Sequence, residues 1–150
     1  MRDKSTDELN NVLENTKPAG LKDFYKSNGE FLADEGKAFY YYMKDVIDGK
    51  NIKLKDVYLY AGVSESWGSK IITMERHTKD RDMIIRLCVA AHFTLIEINR
   101  ALKLYGMQPL YAKDRRDACL IVAINNRIYD FDRIDEILIE QKLKQLTKEE

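Results

Sequence analysis

Two residues in this chain have the chemistry and the spacing of a metal or nucleophile pair. His92 follows Cys88 by four residues, which places both side chains on one face of a helix. A zinc site needs three or four ligands and a catalytic triad needs a third partner, and none is evident nearby. Cys88 and Cys119 both lie in apolar helical runs, which favours burial over a disulfide. We therefore expect packing roles here, no metal and no enzyme.

A cluster of acidic residues near the end of the chain could suggest calcium. Asp130, Asp132, Asp135 and Glu136 are close in sequence, but the Gly and Glu that a calcium loop requires at its sixth and twelfth positions are missing. The cluster is more typical of a helix start and its solvated face. The chain also has no glycine-rich phosphate cradle, so we expect no cofactor.

The residues best placed for a binding function lie between positions 52 and 72. Gly62 stands where a first helix must stop, at a position that favours a left-handed backbone. Ser64 follows as a natural N-cap for a second helix. The pattern predicts a helix, a tight turn and a second helix.

The elements around this pair are predicted to be helical throughout, so the fold class is all-α. Apolar spacing and capping residues place helices at 5–14, 21–26, 37–48, 82–91, 95–105, 117–125 and 131–146. We expect an N-terminal helical arm (1–36), a helix-turn-helix domain (37–112) and a C-terminal helical extension (113–150) in one compact unit. The longest apolar run has seven residues, so no membrane span and a cytoplasmic location are expected.

The last two helix pairs resemble each other in sequence. The dipeptide Arg81-Asp82 corresponds to Arg116-Asp117, and residues 93–95 correspond to residues 129–131, at an offset near 36. We interpret this as an internal duplication in which the second pair continues the bundle.

The helix-turn-helix between Lys53 and Lys70 resembles that of Xre-like proteins, the phage-repressor class. The chain is more narrowly similar to a group of small bacterial proteins of that class, through the polar segment 79–82 and the run 102–118 that joins the repeats. The resemblance implies a regulator that binds double-stranded DNA as a homodimer, with the second helix in the major groove.

Carried over by position, the resemblance assigns two kinds of contact. The groove-facing residues would be Glu65, Ser66, Ser69, Lys70 and Thr73. Phosphate contacts would come from Lys53, Ser64 and Arg76.

Four positions depart from the usual motif. Tyr58 replaces a small residue in the first helix and Gly68 replaces a branched residue in the second, so we expect the ring to fill the space at the glycine. Met74 replaces the glycine that usually ends the second helix, which predicts a longer helix. Glu65 can accept from a cytosine amino group, but phosphates repel it.

The charge distribution leaves a second hypothesis open. The net charge is zero, and residues 37–82 carry nine basic against seven acidic residues, a weak footprint for nucleic acid. The alternative is a non-catalytic adaptor that holds a protein partner through the altered groove face, through the neighbouring Tyr40 and Tyr41, or through the C-terminal repeat.

Overall fold

A computed structural model describes residues 6–28 and 36–147, and within these ranges the chain is all-α, as predicted. The described helices are α1 (Thr6–Glu14), α2 (Leu21–Asn28), α3 (Ala38–Gly49), α4 (Leu54–Ala61), α5 (Glu65–Ile72), α6 (Arg81–Ala90), α7 (Leu95–Leu104), α8 (Arg115–Asn125) and α9 (Phe131–Glu140). A 3-10 turn at Pro18–Gly20 separates α1 from α2. In the described part, no helix is long and apolar enough to cross a membrane.

The N-terminal helices make few contacts with the rest of the described chain. Among their described side chains, the one large residue that is buried is Phe24, and the Thr6 hydroxyl donates a 2.5 Å hydrogen bond to the Asp45 carboxylate on α3. The apolar residues Val12 and Leu13 on α1 remain exposed. The described contacts therefore leave this segment at the edge of the fold.

Helix α6 forms the centre of the core. Every residue from Met83 to Ala90 is buried, because α6 packs against α4 on one side and α7 on another. The apolar core around it runs from Phe39 on α3 to Leu146 near the end of the described chain. Residues 37–112 and residues beyond 113 thus share one core.

The charged side chain of Arg86 is buried inside that core. Its Nε donates to the Ala61 carbonyl at the end of α4, at 3.1 Å, and its Nη1 donates to the Leu146 carbonyl, at 3.2 Å. Arg86 is 4% exposed. Arg86 therefore ties the end of α4 to the C-terminal segment through two backbone carbonyls.

The α6–α7 and α8–α9 hairpins share one backbone pattern, which supports the predicted duplication. In the first turn the Phe93 amide donates to the Cys88 carbonyl, and in the second the Ile128 amide donates to that of Ala123. His92 and Arg127 occupy the same left-handed position, with φ of 59° and 56°. Up to this turn, corresponding residues of the two hairpins lie 35 positions apart in the sequence.

The offset becomes 36 after the turn, because the second turn holds one more residue. The N-cap of α7, Thr94, comes two residues after His92, whereas the N-cap of α9, Asp130, comes three after Arg127. The extra residue is Tyr129. Beyond Tyr129, Asn99 in the first hairpin corresponds to Asp135 in the second, because their side chains accept from the amides of Leu110 and Leu146 respectively.

Reciprocal ion pairs join the two hairpins. Arg81 binds both carboxylate oxygens of Asp117 at 2.9 Å, and Arg116 binds those of Asp82 at 2.8 and 2.9 Å. Each arginine also donates to two carbonyls that follow its own hairpin, at 108 and 109 for the first and at 144 and 145 for the second. We call these eight bonds the arginine clamps. Reciprocity of this kind is typical of two-fold related units.

The predicted last helix is too long at its C-terminal end. Helix α9 stops at Glu140, not at Leu146, and Lys142 takes a left-handed φ of 59°. The following residues leave the helix because their carbonyls accept from Arg116 and Arg86. Asp135 accepts from the Leu146 amide at 2.7 Å and from the Thr147 hydroxyl, which fixes the segment.

Candidate nucleic-acid interface

The turn between α4 and α5 forms as the sequence predicts. Gly62 has φ of 69°, and the next amide, that of Val63, donates to the Tyr58 carbonyl at 3.0 Å. This is the left-handed helix end that glycine adopts without steric cost. The Ser64 hydroxyl accepts from the Trp67 amide at 3.2 Å and so caps α5. The predicted cap is confirmed.

Helix α5 presents a distinct polar face to solvent. Successive residues of an α-helix are rotated by about 100°, so Glu65, Ser66, Ser69, Lys70 and Thr73 share an arc of about 140°. The buried side is formed by Gly68, Ile71 and Ile72. We call the five-residue arc the α5 face. The sequence-predicted groove residues are therefore brought together on one side of one helix.

The crossing of α4 and α5 depends on the exchange between Tyr58 and Gly68. A Cβ atom at Gly68 would lie 2.5 Å from Cδ1 of the Tyr58 ring, so no larger residue fits without a shift. The ring is buried, at 5% exposure, and fills the space as predicted.

Tyr58 also constrains one residue of the α5 face. Burial raises the pKa of the Tyr58 hydroxyl, while a hydrogen bond with the Ser69 side chain acts in the opposite direction. Ser69 is thus already engaged at the helix crossing. Its side chain is still exposed to solvent.

The C-terminal end of α5 contradicts the expected extension. The helix ends at Ile72, and Met74 takes the left-handed conformation with φ of 64°. A methionine can occupy this position at a modest cost in strain, because the following amide of Arg76 donates to the Lys70 carbonyl at 3.0 Å and holds the turn. The helix end is therefore set by this turn, without the usual glycine.

The remaining predicted residues differ in their solvent exposure and in their hydrogen bonds. Lys53 is exposed at the N-cap of α4, and Arg76 is exposed beyond α5. Thr73 is half-buried, and its hydroxyl donates to the Ser69 carbonyl at 2.8 Å, so it reaches outward less than the resemblance implies. Within residues 6–28 and 36–147, no hydrogen bond or ion pair engages the side chains of Ser66 and Lys70.

Two apolar residues on α4 were not singled out from the sequence. Leu59 and Tyr60 are 71% and 65% exposed, beside the turn at Gly62. The signal was present, because both fall off the buried stripe of Val57, Tyr58 and Ala61. They form an exposed apolar part of α4.

The residues considered first for chemistry are separated in the structure. Cys88 is fully buried, and burial raises the pKa of its thiol. His92 is exposed, contrary to the expected packing role inside the core, because it lies past the end of α6 and stacks on Tyr129. Among the described residues, no three His, Cys, Asp or Glu side chains are arranged to hold a metal.

Comparison of the chain with protein-family models, with curated proteins and with solved structures found no match. The resemblance to Xre-like proteins therefore stays a prediction from the sequence. The function of the chain is therefore inferred from the geometry of the α4–α5 pair and its surroundings.

Proposed function

We propose that this chain is a DNA-binding transcriptional regulator of the Xre-like helix-turn-helix class, working in the cytoplasm. The observation that carries the proposal is the α5 face, which starts at a capped helix N-terminus directly after a left-handed glycine turn. An exposed polar helix in this position can enter the major groove while the preceding helix crosses the backbone.

The side chains of the α5 face suit contacts with base edges. Lys70 can donate to guanine, Ser66 can donate or accept, and Glu65 can accept from a cytosine amino group. Because Ser69 and Thr73 already make internal hydrogen bonds, Ser66 and Lys70 are the most available members.

Phosphate contacts would come from the positions that flank the α5 face. The amides at the N-terminus of α5, beside Ser64, favour an anion through their partial positive charge. Lys53 and Arg76 are exposed cations on either side of the pair. The small number of cations implies weak binding by one copy, so we propose a dimer on two half-sites.

Selection from a random duplex pool, followed by fluorescence anisotropy at several salt concentrations, tests this proposal. Lys70→Ala should weaken binding to the selected duplex by about tenfold, the lower end of the discrimination that one base contact provides. Lys113→Ala is the matched control, since it removes one exposed lysine outside the α4–α5 pair. Failure to enrich any duplex at low salt would contradict the proposal.

A second candidate function is a protein-interaction adaptor, and the exposed Leu59 and Tyr60 favour it. Exposed aromatic and apolar side chains at a surface patch are typical of protein interfaces. Affinity capture from nuclease-treated host lysate separates the two candidates. A stoichiometric protein that is lost with Leu59→Ser and retained with Lys70→Ala would favour the adaptor.

A further inference from the structure

A cavity of about 420 Å³ lies where α4, the end of α6 and the start of α9 meet. Its lining includes Tyr60 from α4, His92 from the first hairpin turn, and Tyr129, Asp130, Phe131 and Asp132 from the second. The volume falls within the range of small-molecule sites. The cavity is separate from the α5 face.

The chemistry of the lining is aromatic and acidic. Three aromatic rings and an imidazole share the cavity with two carboxylates, and no Lys or Arg is among the described lining residues. Aromatic faces attract cations through the ring quadrupole, and carboxylates add a direct charge attraction. Both features select the same ligand property, a positive charge on an apolar body.

Tyr129 is the residue that builds one wall of this cavity. It is the one-residue insertion that distinguishes the second hairpin turn from the first, and its ring stacks on His92 with centroids 4.4 Å apart and planes 9° apart. The first turn has no equivalent residue between Phe93 and Thr94. The stacked pair therefore joins the two hairpin turns within the lining of the cavity.

We propose that this cavity binds a small organic cation with an apolar body, such as a quaternary ammonium or an alkyl guanidinium compound. Asp132 supplies charge at the rim, and the Tyr60, Tyr129 and Phe131 rings supply the faces. The Asp130 carboxylate also caps α9 by accepting from the Asp132 amide at 3.0 Å, so Asp132 is the less engaged of the two acids.

The position of Tyr60 gives such a ligand a route to the helix-turn-helix. Tyr60 precedes the turn residue Gly62 by two positions, and Ala61 between them is held by Arg86. A bound cation would contact α4 beside the turn that orients α5. This effector role rests on the proposed function, whereas the binding itself does not.

NMR titration of the full chain at pH 8, above the normal titration range of histidine, tests the binding directly. The probes are choline, agmatine and 3,3-dimethylbutan-1-ol, the neutral isostere of choline. We expect saturable shifts of the His92 and Tyr129 ring protons with at least one cation, and binding of the isostere weaker by about threefold or more. Equal binding of choline and its isostere, or no saturable shift with either cation, would overturn the proposal.

Two variants and their matched controls localise the site. Asp132→Asn and Tyr60→Ala should each weaken cation binding by about twofold to fivefold, the effect of one exposed cation–π or charge contact. Asp48→Asn and Tyr111→Ala alter exposed residues outside the cavity and should leave it unchanged. Unchanged binding in both cavity variants would overturn the assignment, and none of these measurements depends on DNA.

Discussion

The α5 face and the arginine clamps use polar residues in opposite ways. In the clamps, the guanidinium groups of Arg81 and Arg116 donate hydrogen bonds to carboxylates and carbonyls of the chain itself. On the α5 face, Ser66 and Lys70 make no such bonds within the described residues. The clamp side chains therefore stabilise the fold, whereas the Ser66 and Lys70 side chains remain available for a partner.

Substitution of a clamp arginine should have the largest effect on the free energy of unfolding. Arg116→Ala removes four hydrogen bonds and leaves the half-buried Asp82 carboxylate without its cation. We expect a loss of about 3 kcal/mol in the free energy of unfolding, measured by urea denaturation. The adjacent, exposed Arg115→Ala should change it by less than about 0.5 kcal/mol. Similar losses in the two variants would show that the clamp contributes little.

Overpacking the helix crossing should have the next largest effect. Gly68→Ile places a side chain where even a Cβ atom lies 2.5 Å from Tyr58, and we expect a lower melting temperature and a loss of about 1–3 kcal/mol. The double variant Tyr58→Ala, Gly68→Ile should recover part of this loss, because the space is then exchanged back. A melting temperature that rises in the single variant would contradict the exchange, since isoleucine alone improves helix propensity.

The clamp also predicts a dependence of stability on acid. Burial opposes ionisation of Asp117, but the hydrogen bonds from Arg81 and from the Tyr111 amide outweigh it and hold the pKa of this carboxyl below its usual range. A lowered folded pKa contributes stability that is present above the unfolded value, near 3.9, and is lost as the pH falls through the folded value. Urea denaturation between pH 7 and pH 2 should show this loss, and it should be smaller in Asp117→Asn. An equal loss in both proteins would assign the acid sensitivity to other carboxyls.

The smallest expected effect concerns the two left-handed residues that bound α5. Met74→Gly should stabilise the fold by up to about 1 kcal/mol, because glycine adopts a φ of 64° without strain. Gly62→Ala should destabilise it by a similar amount, since its φ is 69°. Calorimetry of both variants tests whether the first is stabilised and the second destabilised. Destabilisation by Met74→Gly would mean that the packing of the methionine side chain contributes more to stability than its backbone strain costs.

The sequence was sufficient for features that depend on local chemistry. The Gly62 turn and the Ser64 cap follow from residue types at fixed spacing, and both form as predicted. The packing of the Tyr58 ring against Gly68 was also predicted, from a large residue and a small residue at two positions that normally contact each other. These features each involve residues close in the chain or one helix crossing.

Features that depend on distant partners were not predicted. Helix α9 ends early because carbonyls beyond it accept from two distant arginines. Arg86 lies 60 residues from its carbonyl partner, and Arg116 lies 28 and 29 residues from its two partners. Similarly, the repeated Arg-Asp dipeptides were recognised, but their reciprocal pairing required the packed hairpins. The engagement of Ser69 with Tyr58 and the position of His92 on Tyr129 have the same origin, since no local pattern specifies a side-chain partner on another helix.

We propose that the α5 face is the surface that contacts DNA. Amide NMR spectra of the labelled chain, recorded at low salt with increasing amounts of a selected duplex, test it most directly. We predict that the largest shifts fall on residues 64–70 and that the amides around the clamps, near Asp82 and Asp117, change little. An unchanged spectrum, or shifts confined to residues outside α4 and α5, would contradict this assignment.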